Sequence, residues 1–217
     1  MTVLVEACVD SVESALAAQR GGARRLELCA NLDVGGTTPS TALIEEVRDR
    51  AALPVMVMIR PRGGSYVHTD REVDAMRRDI DAARRANAAG VVFGVLRSDD
   101  RVDVEQTRRL VEHAAGLPVT FHMAFDRTPD RHEALETLID VGVTRVLTSG
   151  GAPTALDGAA ALAELVAQAG DRIVILAGKK VRGDTVADIV RRSGVREVHA
   201  RSLADESQIK AIVDALG

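Results

Sequence analysis

Tryptophan is absent from the chain, tyrosine occurs once and phenylalanine three times, so aromatic side chains make up only 2% of its 217 residues. That scarcity excludes a stacking platform for single-stranded nucleic acid and a large aromatic interface. A basic excess is missing as well: 28 lysines and arginines face 32 aspartates and glutamates, a formal charge of −4. Without a cationic cluster to meet polyphosphate or an anionic bilayer, neither nucleic acid nor a membrane is an expected partner. No stretch reaches the roughly 20 apolar residues of a membrane span, and the opening MTVLVEACVD lacks the basic region and long apolar run of a signal peptide. The cytoplasm is therefore the expected location. The two cysteines, Cys8 and Cys29, are too few for a disulfide framework and would stay thiols in a reducing compartment.

What is present is the balance of a globular protein, 46% hydrophobic and 28% charged. Short β-branched runs begin near Val3, Arg25, Val55, Val91, Val119, Arg145, Ile173 and Glu197. Between them lie segments with helical spacing of apolar residues: 12–19, 42–50, 73–87, 104–114, 132–141, 155–169, 185–192 and 206–216. Asp10 with Glu13 and Thr69 with Glu72 have the spacing of capping boxes, and Pro39 suits a first helical position after Thr38. No linker or low-complexity stretch breaks the rhythm. Eight consecutive βα units of roughly 27 residues predict one α/β domain over residues 1–217, a single (β/α)8 TIM-barrel-like domain. A doubly wound open sheet is the competitor, but no strand is followed by the G-x-G-x-x-G turn of a dinucleotide fold.

In such a barrel, chemistry gathers at the carboxyl ends of the strands, and alternation decides which side chains point inward. By parity Glu6 and Cys8 face inward from the first strand and Glu27 and Cys29 from the second, so both end in Glu-x-Cys at matching positions. The third strand brings Met56, Met58 and Arg60 and runs into the cationic, glycine-rich stretch Arg60-Pro61-Arg62-Gly63-Gly64. The fifth directs Thr120, His122, Ala124 and Asp126 inward and Met123 outward. Lys179 and Lys180 follow the seventh, and the eighth offers His199 and Arg201. His68, His113 and His132 read as solvent-facing. Buried charge is costly unless paired, so this ring is either a functional site or an internal ion-pair layer of Glu6 and Glu27 with Arg60 and Arg201.

Paired thiols on neighbouring strands suit one soft ion, Cu(I) above all, unless both cysteines are simply small buried hydrophobes. A reactive thiol is not expected, because Glu6 and Glu27 nearby would raise its pKa. The arginines fit a different use, an enzyme acting on a small anionic or phosphorylated carbonyl compound. Arg60, Arg62, Lys179 or Lys180, and Arg201 would then hold the anion while Glu27, His122 and His199 move protons, with His122 oriented by Asp126.

The stretches Glu6-Ala7-Cys8, Glu27-Leu28-Cys29-Ala30, Gly35-Gly36-Thr37-Thr38-Pro39-Ser40, Ile59-Arg60-Pro61-Arg62-Gly63-Gly64, Gly94-Val95-Leu96, Thr120-Phe121-His122, Ala124-Phe125-Asp126, Leu147-Thr148-Ser149-Gly150 and Glu197-Val198-His199 run in one register along the chain. Together they resemble the CutC family of copper homeostasis proteins. The resemblance implies a TIM-barrel-like fold, a cytoplasmic location, Cu(I) binding with Cys8 and Cys29 as the cysteine pair, and assembly into homo-oligomers, a dimer being favoured. Two departures stand out: Met123 occupies a position where the family usually has arginine, and Lys179-Lys180 stand where a glycine-rich turn is usual.

Overall fold

A computed structural model describes residues 2–201 and 205–217. Eight strands and eight helices alternate: β1 Leu4–Val9, α1 Val12–Arg20, β2 Arg25–Leu28, α2 Thr41–Arg50, β3 Val55–Met58, α3 Asp70–Arg85, β4 Gly90–Phe93, α4 Val104–His113, β5 Val119–Phe121, α5 Arg131–Asp140, β6 Arg145–Thr148, α6 Ala159–Ala169, β7 Val174–Ala177, α7 Val186–Ser193, β8 Glu197–Arg201 and α8 Glu206–Asp214. All neighbouring strands pair in parallel, and β8 closes on β1, giving a (β/α)8 barrel.

Strand alternation sorts the apolar residues into two cores. Outward side chains such as Val5, Ala7, Leu26, Leu28, Val57, Val91 and Phe121 pack under the helices in one continuous layer. Inside the barrel a smaller cluster, Cys8, Cys29, Met56, Met58 and Val92, fills the axis below the mouth. The helices meet the outer layer through one stripe each: in α3, Val73, Met76, Ile80 and Ala83 recur at helical spacing and are buried. Thr69 and Glu72 form the expected capping box at its start.

Three local readings are corrected. The α1 cap is Ser11, reciprocated by Ser14, rather than Asp10 with Glu13, because the hydroxyl of Ser14 reaches back to the amides of residues 10 and 11. Helix α2 begins one residue after its cap Ser40, so Pro39 precedes the helix. Strand β5 stops at Phe121, and residues Met123–Arg127 form a 3₁₀ turn for which His122 is the cap, its Nδ1 accepting the Ala124 N–H at 3.3 Å. Parity therefore fails beyond Phe121: Ala124 joins the outer core, while Met123, assigned outward, lines the mouth.

Candidate functional site

The amino-terminal half of the barrel interior is closed by charge. Arg25, at the start of β2, pairs with Glu6 and Glu197, and Arg145 Nε lies 2.7 Å from Glu197 Oε2. An ion-pair layer thus exists, but its cations are Arg25 and Arg145. The expected partners Arg60 and Arg201 point elsewhere, because the pairing register sets Glu6 beside Arg25 on one side and His199 on the other.

One layer higher, Cys8 lies opposite Glu27, so Cys29 is staggered by two residues from Cys8 rather than level with it. Side-chain reach closes that stagger: the two Sγ atoms are 4.0 Å apart, and Cys29 Sγ donates to Glu27 Oε2 at 3.6 Å. His199 stands between the acids, Nδ1 2.8 Å from Glu6 Oε1 and Nε2 3.8 Å from Glu27 Oε2. Cys8, Glu27 and His199 offer ligand atoms that all lie within 4.8 Å of one another.

Burial dominates the protonation of this group, and position decides which members stay charged. For Glu6 burial works against ionisation, yet the His199 hydrogen bond and the Arg25 charge hold it down at about 2. Burial alone would neutralise His199, but the charge of Glu27 and the hydrogen bonds to Cys8 and Glu6 outweigh it and raise the imidazole well above its ordinary value. Glu27 is driven well above the usual carboxyl range by burial and, in smaller part, by the Cys8 and Glu6 charges. The hydrogen bond with Cys29 and the cationic His199 bring Cys8 down to about 5, against the opposing effect of burial. Cys29 moves the other way, chiefly through the same hydrogen bond and then through burial. The shifts thus run in opposite directions within the group: Cys8 and Glu6 give up their protons more readily, while Glu27, Cys29 and His199 hold theirs more tightly. Cys8 is thus lowered where the nearby acids led to the opposite expectation, first through the Cys29 hydrogen bond and then through His199, a neighbour that sequence spacing does not reveal.

Above the sulfurs opens a cavity of about 900 Å³. Of the side chains predicted to surround it, Glu27, His122, His199, Arg60, Lys179, Arg201, Cys8 and Cys29 all line it, and Arg62 does not. Lining is not availability. The terminal nitrogens of Arg60 donate to the carbonyls of Val34, Gly35, Gly36 and Gly64, tying the loop after β2 to the loop after β3. Arg62 pairs with Glu72 and donates to the carbonyls of Ser65 and Val67. The terminal nitrogens of Arg60 and the guanidinium of Arg62 are thus engaged in loop geometry, and among the described residues Arg60 Nε alone is left over. Lys179 Nζ donates to Ala152 O at 2.9 Å. Asp126 accepts from Thr148, from Ser149 Oγ at 2.7 Å and from the amides of Ser149 and Gly151, so it fixes the loop after β6 and does not orient His122.

The loop after β3 also holds residues that pattern reading misplaced. The His68 side chain is fully enclosed, with both ring nitrogens unpartnered, rather than solvent-facing; the loop wraps around Arg62 and keeps the ring inside. Tyr66, to which spacing assigns no role, belongs to the site as well: its ring centroid lies 4.8 Å from the Arg60 guanidinium carbon and 5.0 Å from that of His122. A lone tyrosine in an aromatic-poor chain was the available signal. Gly36 lets the loop after β2 settle on the sulfurs: its φ is +86°, and a Cβ there would stand 3.2 Å from Cys29 Sγ.

A closed parallel barrel with thiol, carboxyl and imidazole groups converging at the carboxyl ends of β1, β2 and β8 defines the class as a (β/α)8 barrel with a candidate ligand set at its mouth. Comparison with known proteins narrows this. The model of the CutC family matches residues 3–204, and the chain belongs to that family. It is 49% identical over 197 residues to a family protein CutC of Caulobacter vibrioides (strain NA1000 / CB15N), covering 91% of this chain and 80% of that one. It is 47% identical over 204 residues to the human copper homeostasis protein cutC homolog, covering 93% of this chain and 75% of the human one. The crystal structure of a CutC protein from Streptococcus agalactiae superposes with a TM-score of 0.87 at 34% identity, over 91% of this chain and 98% of the other. A barrel such as the Pyrococcus furiosus thiamine phosphate pyrophosphorylase, at 15% identity and a TM-score of 0.66, shares the fold alone.

Proposed function

We propose that the chain binds Cu(I) as cargo through Cys8 and Cys29 at the floor of the mouth cavity. The observation that carries this reading is the pair of sulfurs 4.0 Å apart, a separation that two metal–sulfur bonds of about 2.3 Å can span. Cys8 is the more acidic of the two, lowered to about 5 chiefly by its hydrogen bond with Cys29, so its bond requires the smaller cost of proton removal. Thiolates are the soft ligands that select Cu(I) over harder ions. Release of the Cys29 proton accompanies the second bond, and Glu27 Oε2 stands next to that thiol to accept a hydrogen bond from it. His199 and Glu27 complete the surroundings as positioning groups: His199 favours the charged form of Cys8, and Glu27 accepts from the Cys29 thiol. The copper homeostasis names carried by relatives across the whole matched length agree with this use. A reducing cytoplasm, where both thiols persist, is the compartment that goes with it.

Anaerobic titration with Cu(I) against a competing chelator tests the reading. One ion bound per chain, or per pair of chains, is expected in the parent, and its loss in the Cys8→Ser, Cys29→Ser variant. Unchanged affinity in that variant overturns the proposal.

A further inference from the structure

Two sulfurs occupy only the floor of a cavity of about 900 Å³, a volume in the range of sites that enclose small organic molecules. Its upper walls differ in character. On the β7–β8 side Lys180, Arg182 and Arg201 line it, all exposed, and among the described residues none has a carboxylate within ion-pair distance. On the β3–β5 side lie Arg60, Tyr66 and His122.

That second wall holds polar atoms with nothing to bond to. His122 is 4% exposed and Arg60 is 3% exposed, and His122 Nε2 and Arg60 Nε are both buried with no hydrogen-bond partner among the described residues. Because His122 Nδ1 accepts the Ala124 amide, the ring proton resides on Nε2, which is therefore a donor. Burial first and the Arg60 charge second keep this imidazole neutral, at about 3. Arg60 Nε is a donor as well. Leaving two buried donors unsatisfied is costly, and among the described residues no carbonyl or hydroxyl relieves them. The Tyr66 ring stands over both residues. The ring position of His122 is itself built in: at Gly94 a Cβ would come within 2.5 Å of Nδ1, so only glycine leaves the imidazole where it is.

We propose that the cavity above the cysteines is a second binding site, for a small organic anion carrying a carbonyl or hydroxyl oxygen. Its acidic group faces Lys180, Arg182 and Arg201, and its oxygen accepts from His122 Nε2–H and Arg60 Nε–H once the Tyr66 ring turns aside. The donors are matched to an oxygen acceptor, and the opposite wall is matched to negative charge. Neither set is needed to hold a soft cation, which two thiolates satisfy, so this site stands independently of the copper reading. A phosphate and a carboxylate both meet the charge requirement, and the experiment separates them.

Metal-free, 15N-labelled protein is titrated with glycerol 3-phosphate, with lactate, and with inorganic phosphate and glycerol as controls, following heat of binding and the His122 Nε2–H resonance. Saturable binding of glycerol 3-phosphate or lactate that moves this resonance is expected, and whichever of the two binds identifies the acidic group. The Lys180→Ala, Arg182→Ala variant, altered only at exposed side chains, should bind about tenfold more weakly. The proposal is overturned if neither organic anion binds, if binding leaves the His122 resonance where it was, or if the double variant binds undiminished. Inorganic phosphate binding as tightly as glycerol 3-phosphate would also overturn it, since charge alone would then account for the site.

Discussion

The two ends of the barrel interior hold similar side chains and use them differently. At the amino-terminal end Arg25, Glu6, Glu197 and Arg145 satisfy one another in a closed set of ion pairs. At the carboxyl end the same kinds of groups are left unfinished: Glu27 Oε1, Arg60 Nε and His122 Nε2 are all buried with no hydrogen-bond partner among the described residues. Buried polar groups are normally satisfied, so a fully matched set reads as structure and an unmatched set as a place that awaits a ligand. His199 joins the two ends, one nitrogen on Glu6 below and the other toward Glu27 above.

The sharpest way to break this contrast is to unbalance the matched end. Arg25→Ala leaves Glu6 and Glu197 buried with one cation fewer, and removal of one partner from a buried pair costs roughly 3–5 kcal/mol. Urea unfolding should show that loss, whereas Arg201→Ala, on an exposed side chain at the mouth, should stay within about 0.5 kcal/mol. Equal losses would mean that the carboxyl end is as structural as the amino end.

Acid titration sharpens the same comparison, because the two glutamates act in opposite directions. Glu6 titrates at about 2 in the fold against an ordinary 4.5. The unfolded chain therefore binds its proton first on acidification, and the stabilisation, about 3 kcal/mol, is complete above 4.5 and lost as pH falls toward 2. Glu27 is raised in the fold, so the native state holds its proton longer, and its contribution is lost as pH climbs above 4.5. Urea midpoints measured from pH 3 to 8 should rise, then level or decline, and Glu27→Gln should remove the decline without touching the acid limb. A Glu27→Gln curve that superposes on the parent at neutral pH would show that the Glu27 carboxyl is ionised there.

Much of this was legible in the sequence, and the reason is periodicity. The outer faces of the strands and the helix stripes repeat at 2 and 3.6 residues, so the element order, the barrel and the inward direction of Glu6, Cys8, Glu27, Cys29 and His199 can be read from spacing. Parity loses its meaning where the backbone leaves the strand. It failed at Met123 because His122 caps a 3₁₀ turn, and spacing could not show what Arg60 and Arg62 bind because the carbonyls they engage belong to loops without a period. The direction of the Cys8 shift was out of reach for a different reason: it depends first on the hydrogen bond with Cys29 and then on His199, a neighbour across β1 and β8 that is 191 residues distant in sequence but adjacent once the barrel closes.

The smallest effect concerns the rim, where Lys179 and Lys180 hold φ of +81° and +59°. An L residue in the left-handed region costs roughly 1–2 kcal/mol, and glycine escapes that cost while losing about 0.5–1 kcal/mol through the greater freedom of its unfolded chain. Lys179→Gly and Lys180→Gly should therefore each stabilise the barrel, by up to about 1 kcal/mol. Lys179→Gly gives back part of the gain, because the Nζ bond to Ala152 O goes with the side chain. Lys180 has no hydrogen bond of that kind among the described residues, so its substitution should show the larger gain in thermal melting. A fall in melting temperature for Lys180→Gly would mean that the lysine side chain, and not merely the turn, contributes to the fold, which would move this rim from the unfinished end of the molecule to the matched one.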